Sequence, residues 1–206
     1  MRRDMHGQCS GTALRRDQLL RRAVLGGGAL LVPGALATAA AAAPSPDNDL
    51  AYLRLLLAAE LLAADFEAKA LASGRLNRRS KTTIRKMAAD DKAHYAKLAQ
   101  LLSAAGQPPV TAGDIDFSYP RASFASQPSI LKLAAEIKGL MLGTYLGAVE
   151  NVETAELRLP VGQSAANEAQ HAAALAALRD RAVIGRAFAP ALQIDAASAA
   201  LDRFES

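Results

Sequence analysis

One short pattern occurs twice in this chain and limits what the chain can fold into. An acidic residue stands three positions before a histidine at Asp91 and His94, and again at Glu168 and His171. Leucines follow each histidine after four and seven positions, and the two copies lie 77 residues apart. Because residues three and four apart share one helix face, each copy predicts a helix with an acid and an imidazole on its apolar side.

The repetition extends upstream of these pairs. Leucine, two alanines and glutamate occupy positions 57–60 and again 133–136, so that Glu60 and Glu136 are 76 residues apart. Glu60 precedes Asp91 by 31 residues, and Glu136 precedes Glu168 by 32. Each half is therefore a candidate helical hairpin with its two acids at similar heights. Two such hairpins predict an all-α fold, an antiparallel four-helix bundle.

The composition agrees with packed helices and argues against a nucleic-acid partner. Hydrophobic residues make up 51% of the chain and aromatic residues only 4%, with alanine and leucine dominant. The net charge of +4 comes from residues 1–43, which hold six arginines and two aspartates. The rest of the chain has 18 basic and 18 acidic residues, so no basic nucleic-acid footprint remains. Cys9 is the single cysteine, so a metal would be held by oxygen and nitrogen.

Residues 1–43 predict an export signal, and residues 44–206 predict the bundle domain. Arg21 and Arg22 open a pattern that resembles the twin-arginine export motif, and a moderately apolar stretch follows over 23–36. Small residues at 37–39 and 41–43 offer cleavage sites. The apolar stretch is too short for a permanent membrane span, which needs about 20 residues. An uncleaved anchor or a disordered tail is the alternative, and the expected location is the periplasm, the cell envelope or the exterior.

Four long helices and a short one are expected after the signal. The periodicity and the breaking residues predict helices over 47–73, 81–104, 129–151 and 163–184, and a short C-terminal helix over 195–204. Ser80 is the expected cap of the second helix, and Pro160 with Gly162 is expected to form the last turn between long helices. The link over 105–128 is long enough to cross the length of the bundle.

Glycines recur every four residues in the third helix, at Gly139, Gly143 and Gly147. Each glycine lowers the stability of a helix by about 0.5–1 kcal/mol relative to alanine, so three glycines at this spacing need a structural explanation. A close approach of a second helix is the first explanation, and space beside a metal is the second.

Acids on a buried helix face are costly unless a cation or a hydrogen bond compensates their charge. Two divalent ions bridged by carboxylates would compensate four acids, and each acid–histidine pair can hold one ion from one helix. The predicted ligands are therefore Glu60, Asp91, His94, Glu136, Glu168 and His171. Glu67 is the runner-up for Glu60, and Glu150 and Glu153 are the runners-up for Glu136. No catalytic residue separate from these ligands is expected.

These residues resemble the ligand set of the ferritin-like superfamily, in particular exported bacterial proteins of the rubrerythrin and desiccation-related type. The stretch after Glu136 that includes Tyr145 is also similar to the third helix of that group. The resemblance implies a non-haem di-iron centre, with Glu60 and Glu136 as one acid from each of two helices. It implies carboxylate ligation by Asp91 and Glu168 and terminal nitrogen ligation by the histidines. Asp91 departs from the usual glutamate, and manganese or zinc could replace iron.

The expected function follows from that resemblance. It implies an exported di-iron protein whose partners are metal ions and oxygen or peroxide, acting as a ferroxidase or a scavenger in iron handling or stress. The alternative is a metal-poor helical bundle with a structural or stress-associated envelope role and no catalysis. The sequence leaves homo-oligomerisation open.

Overall fold

The computed structural model describes residues 46–206, so the predicted export signal over 1–43 lies outside the described residues. Within that part of the chain the elements are α1 (Asp47–Ala72), α2 (Arg78–Ala104), α3 (Gln127–Asn151), α4 (Ala155–Leu178) and α5 (Ile194–Asp202). The all-α prediction is confirmed. Among these described helices, none is both long and apolar enough to cross a bilayer.

Side-chain caps set two of the helix starts, whereas the predicted starts of α2 and α4 and the predicted end of α4 were wrong. The Asn77 side chain accepts a hydrogen bond from the Ser80 N–H at 2.8 Å, so α2 begins at Arg78 and Ser80 lies inside it. Ser126 and Ser129 form a reciprocal capping box at the start of α3. Pro160 lies inside α4 rather than in the turn before it. Pro160 lies close to the start of the helix and has no N–H, so it removes a single backbone hydrogen bond. The packing of the bundle outweighs that loss.

The four long helices form two hairpins joined by a crossover, as predicted. α1 packs against α2, and α3 packs against α4. The first residues of α3, such as Ile130, share a core cluster with Ala70 at the end of α1, whereas Val152 after α3 clusters with Leu50. α3 is therefore antiparallel to α1, and the segment 105–126 must cross the full length of the bundle.

Two apolar clusters fill the bundle and leave a polar centre at mid-length. One cluster surrounds Phe66, Ile130 and Leu175, and the other surrounds Leu53, Leu102 and Tyr145. The crossover is tied to the C-terminal end of the chain, since the Ser118 N–H donates to the Phe204 carbonyl at 2.7 Å. α5 packs on α1 and α3. This arrangement holds α1 and α3 together beside the polar centre.

Two of the three glycines of α3 make room for the chain that leads into α5, not for a neighbouring long helix. A Cβ on Gly147 would lie 1.9 Å from the Leu192 backbone oxygen, and one on Gly143 would lie 2.8 Å from the Leu192 side chain. The Leu192 N–H also donates to the Gly143 carbonyl at 2.8 Å. Gly139 is exposed, with nothing within 4 Å of a Cβ. The close approach was predicted correctly, but its partner was not.

Alanine substitutions in α3 should therefore have opposite effects at two glycines. Gly147→Ala should lower the free energy of unfolding by about 1–3 kcal/mol, because the Leu192 backbone must move away. Gly139→Ala should raise it by about 0.5–1 kcal/mol, because alanine favours a helix and meets no neighbour. Urea unfolding followed by circular dichroism measures both. Equal effects at the two sites would contradict the packing described here.

Candidate metal centre

Five of the six predicted ligands meet inside the bundle, and we call Glu60, Asp91, His94, Glu168 and His171 the interior cluster. α1 contributes Glu60, α2 contributes Asp91 and His94, and α4 contributes Glu168 and His171. The three carboxylate residues are at most 1% exposed. Each sits on the inward stripe of its helix, so the i, i+3 spacing in α2 and α4 aims an acid and an imidazole at the same interior.

The imidazole of His94 lies between two of the carboxylates. Its Nδ1 atom is 3.4 Å from Glu60 Oε1 and 3.5 Å from Glu168 Oε1, which is long for a hydrogen bond. The Tyr145 hydroxyl donates a short hydrogen bond to Glu60 Oε1, and the Tyr145 ring meets the His94 ring edge-on at 6.0 Å. Tyr145 therefore fixes the orientation of Glu60 from α3. The His94 side chain is 13% exposed and is the part of the cluster nearest to solvent.

The imidazole of His171 occupies the matching position on the other side of Glu168. Its Nδ1 atom is 3.3 Å from Glu168 Oε1 and 3.7 Å from Asp91 Oδ1. Its Nε2 atom lies 3.2 Å from Asp90 Oδ2 at the edge of the bundle. A carboxylate behind an imidazole in this way fixes the ring orientation and frees the other nitrogen for a metal. Asp90 was not predicted, because helical periodicity places it off the face of Asp91.

The interior cluster offers two overlapping donor sets for a cation. Glu60, His94 and Glu168 form one set, and Asp91, Glu168 and His171 form the other, each with its donor atoms within 4.8 Å of one another. Several of these buried atoms accept or donate no hydrogen bond: Glu60 Oε2, Asp91 Oδ1, both oxygens of Glu168 and both Nδ1 atoms. Buried polar atoms without partners are rare in folded proteins, so the donors fit a bound metal ion.

The prediction for Glu136 was wrong. Its side chain is 55% exposed and lies 3.9 Å from the Lys132 ammonium on the outer surface of α3. The buried stripe of α3 runs through Ile130, Ala134, Ile137 and Met141, and Glu136 falls outside it. The matching Leu-Ala-Ala-Glu sequences suggested an equivalent position in both hairpins, but the two copies are turned differently toward the core. The runners-up Glu150 and Glu153 are exposed as well.

Lys138 faces the interior where an acid had been expected from α3. Its side chain is 3% exposed, and its ammonium group donates a short hydrogen bond to Asp91 Oδ2. It lies 3.4 Å from Glu168 Oε2 and 3.6 Å from Glu67 Oε1. The runner-up Glu67 is therefore buried beside the interior cluster. A lysine next to the apolar stripe of α3 was the sequence signal that could have revealed this contact.

Burial and close charges shift the pKa values of the cluster in opposite directions. Burial raises the pKa of Glu60 to about 7 and that of Glu67 to about 9. Burial opposes the charged forms of His94 and Glu168, but their mutual contact and the neighbouring charges prevail. The carboxylates of Glu168 and Glu60 raise the pKa of His94 to about 10, while His171, His94 and Lys138 lower the pKa of Glu168. Without metal, His94 is thus a protonated partner for the acids.

Comparison with known proteins assigns the class of the protein. Residues 48–181 match the ferritin-like domain family, and the chain belongs to that family. The fold is similar to the crystal structure of the hypothetical protein MJ0754 from Methanococcus jannaschii DSM 2661, with a TM-score of 0.55 and 12% sequence identity. That match covers 84% of this chain and 98% of the archaeal one. No curated protein matches the sequence.

Proposed function

We propose that this chain is an exported iron-binding protein that oxidises Fe(II) with oxygen or peroxide at the interior cluster. The observation that carries the proposal is the convergence of three buried carboxylates and two imidazoles, six of whose buried atoms have no hydrogen-bond partner. Membership of the ferritin-like family and the oxygen and nitrogen donors both favour a divalent transition metal. Export is inferred from residues 1–43 alone, with the twin-arginine route as the inferred path.

The residues of the cluster can bind Fe(II) and place it out of bulk water. Glu168 would be the shared ligand, because its Oε1 atom lies within 3.5 Å of both imidazole nitrogens. Tyr145 holds Glu60, and Asp90 holds His171, so the donors are oriented before metal arrives. Both imidazoles must be neutral to bind a metal, so binding releases the proton of His94 to solvent.

The oxidation balances with Fe(II) as the substrate. Two Fe(II) ions lose one electron each, and one hydrogen peroxide takes up those two electrons and two protons to give two water molecules. Iron supplies the redox change, while the protein contributes binding, orientation and exclusion of water. Manganese or zinc would fit the same donors, and zinc would give no redox activity.

A metal-poor structural bundle is the second candidate, and Lys138 is the observation that favours it. The ammonium group already contacts Asp91, Glu168 and Glu67, so part of the negative charge is compensated by the chain itself. Anaerobic loading with Fe(II), removal of free metal and iron analysis separate the two candidates. No bound metal and no oxygen-dependent or peroxide-dependent Fe(II) oxidation would support the structural role.

Replacing either histidine should reduce metal binding without unfolding the bundle. His94→Ala and His171→Ala should each weaken Fe(II) binding by at least about 10-fold, because each removes a nitrogen donor. The helical circular dichroism signal should remain, since neither residue belongs to the two apolar clusters. Iron content after equilibrium dialysis is the measurement. Unchanged iron content in both variants would show that the ligands are assigned wrongly.

A further inference from the structure

The carboxylates of the interior cluster have two sides, one that faces the imidazoles and one that faces an ammonium group. On one side, which we call the imidazole side, Glu168 Oε1 faces both His94 and His171 at 3.5 and 3.3 Å. On the other, the ammonium side, Glu168 Oε2 lies 3.4 Å from Lys138 Nζ. The same division holds for Asp91, whose Oδ1 atom faces His171 at 3.7 Å while its Oδ2 atom accepts from Lys138.

The Lys138 ammonium group contacts the carboxylate oxygens that a second metal ion would need as ligands. A di-metal bundle uses acids from all four helices, and the two ions share the bridging carboxylates. Here α3 supplies Lys138 instead of an inward acid, because Glu136 is on the surface. A second ion bound to Asp91 and Glu168 would lie beside a positive charge that already contacts the same two carboxylates. Like charges at such short distance repel strongly in a buried site.

The charges of the residues in contact also indicate one divalent ion rather than two. Glu60, Asp91 and Glu168 bring three negative charges to the imidazole side when ionised, and neutral imidazoles add none. Lys138 compensates one of these charges, because it contacts Asp91 and Glu168 directly. The two charges that remain equal those of one divalent ion. Glu67 contacts Lys138 at 3.6 Å and belongs to neither donor set.

We propose that the interior cluster takes one divalent metal ion on its imidazole side, and that the Lys138 ammonium group serves as a built-in second cation. The inference rests on the proposed metal-binding function and makes it more specific. It replaces the two-ion centre that the sequence led us to expect.

The number of bound Mn(II) ions per chain tests this directly. The purified chain is titrated with Mn(II) under dialysis, and bound metal is counted by mass spectrometry. We expect one ion per chain, with an electron paramagnetic resonance spectrum that lacks coupling between neighbouring ions. Lys138→Glu should raise the count to two and introduce that coupling. Lys132→Glu, on the exposed side of the same helix, is the matched control and should still give one ion.

The outcomes distinguish this inference from the proposed function. A wild-type chain that binds two coupled ions overturns the inference and leaves metal binding intact. A wild-type chain that binds none overturns the proposed function itself. If Lys138→Glu folds but still binds one ion, Lys138 is not what limits the count, and the inference is overturned. If that variant does not fold, the wild-type count and spectrum decide: one uncoupled ion supports the inference.

Discussion

Glu168→Gln is expected to weaken divalent metal binding more than any other single change in the chain. Glu168 belongs to both donor sets, and among the residues that the structure describes it is the one whose carboxylate approaches both imidazoles. Mutation of a residue that only hydrogen-bonds to a metal ligand costs about 10–100-fold in metal affinity. Loss of a shared ligand should therefore cost more than about 100-fold. That factor corresponds to about 2.8 kcal/mol of binding free energy.

Glutamine keeps the size of the side chain, so the helical circular dichroism signal should remain while metal binding is lost. Without metal, the thermal midpoint should fall, because Lys138 and the protonated His94 lose a buried counter-charge. Glu136→Gln is the control, because it makes the same chemical change on the exposed surface of α3 and should leave Mn(II) and Fe(II) affinity unchanged. The site assignment would be contradicted if Glu136→Gln weakened binding as much as Glu168→Gln did.

The repeated pattern predicted the fold because helical periodicity and chain connectivity are local properties. Two acid–histidine pairs in equivalent hairpins required two helices to face each other, and the long link over 105–128 required a crossover. The start of α4 was missed because Pro160 suggests a break, although near a helix start it removes only one hydrogen bond. Tertiary packing decided that boundary, and packing is not visible in a local window.

The site was predicted on three helices and missed on the fourth for a geometric reason. Successive residues of a helix point about 100° apart, so Glu136 and Lys138 face nearly opposite directions. The sequence comparison aligned Glu136 with Glu60, yet the apolar stripe of α3 brings Lys138 inward. A repeat in sequence therefore identifies which helices correspond, while the apolar stripe of each helix decides which residue reaches the centre.

The mixture of buried charges has a consequence for the stability of the metal-free protein. Its free energy of unfolding should fall as the pH rises from 6.5 to about 9. The pKa of His94 is raised from its ordinary 6.5 to about 10. The resulting stabilisation of the folded state is complete below pH 6.5 and is lost as the pH rises to about 10. Glu67 acts in the same direction, because its raised pKa of about 9 keeps a proton that the unfolded chain releases above pH 4.5.

The slope of the free energy of unfolding against pH is set by how many more protons the folded state binds than the unfolded state. One proton held by the folded state and absent from the unfolded state lowers stability by about 1.4 kcal/mol for each pH unit. Glu67 is buried on all sides and should contribute most of that slope, whereas solvent screening near the partly exposed His94 ring reduces its share. Glu168, whose pKa is lowered, titrates in the acid range and does not alter this window.

Urea unfolding of the chelated protein at several pH values measures the slope, and Glu67→Gln should remove most of it. The control is the same series with saturating Mn(II), because a bound metal ion displaces the proton of His94 and adds binding free energy that grows as protons compete less. The two curves should therefore diverge as the pH rises from 6.5 to 9. A metal-free protein whose stability stayed constant or rose over this range would mean that the buried acids and His94 are not coupled as their contacts indicate.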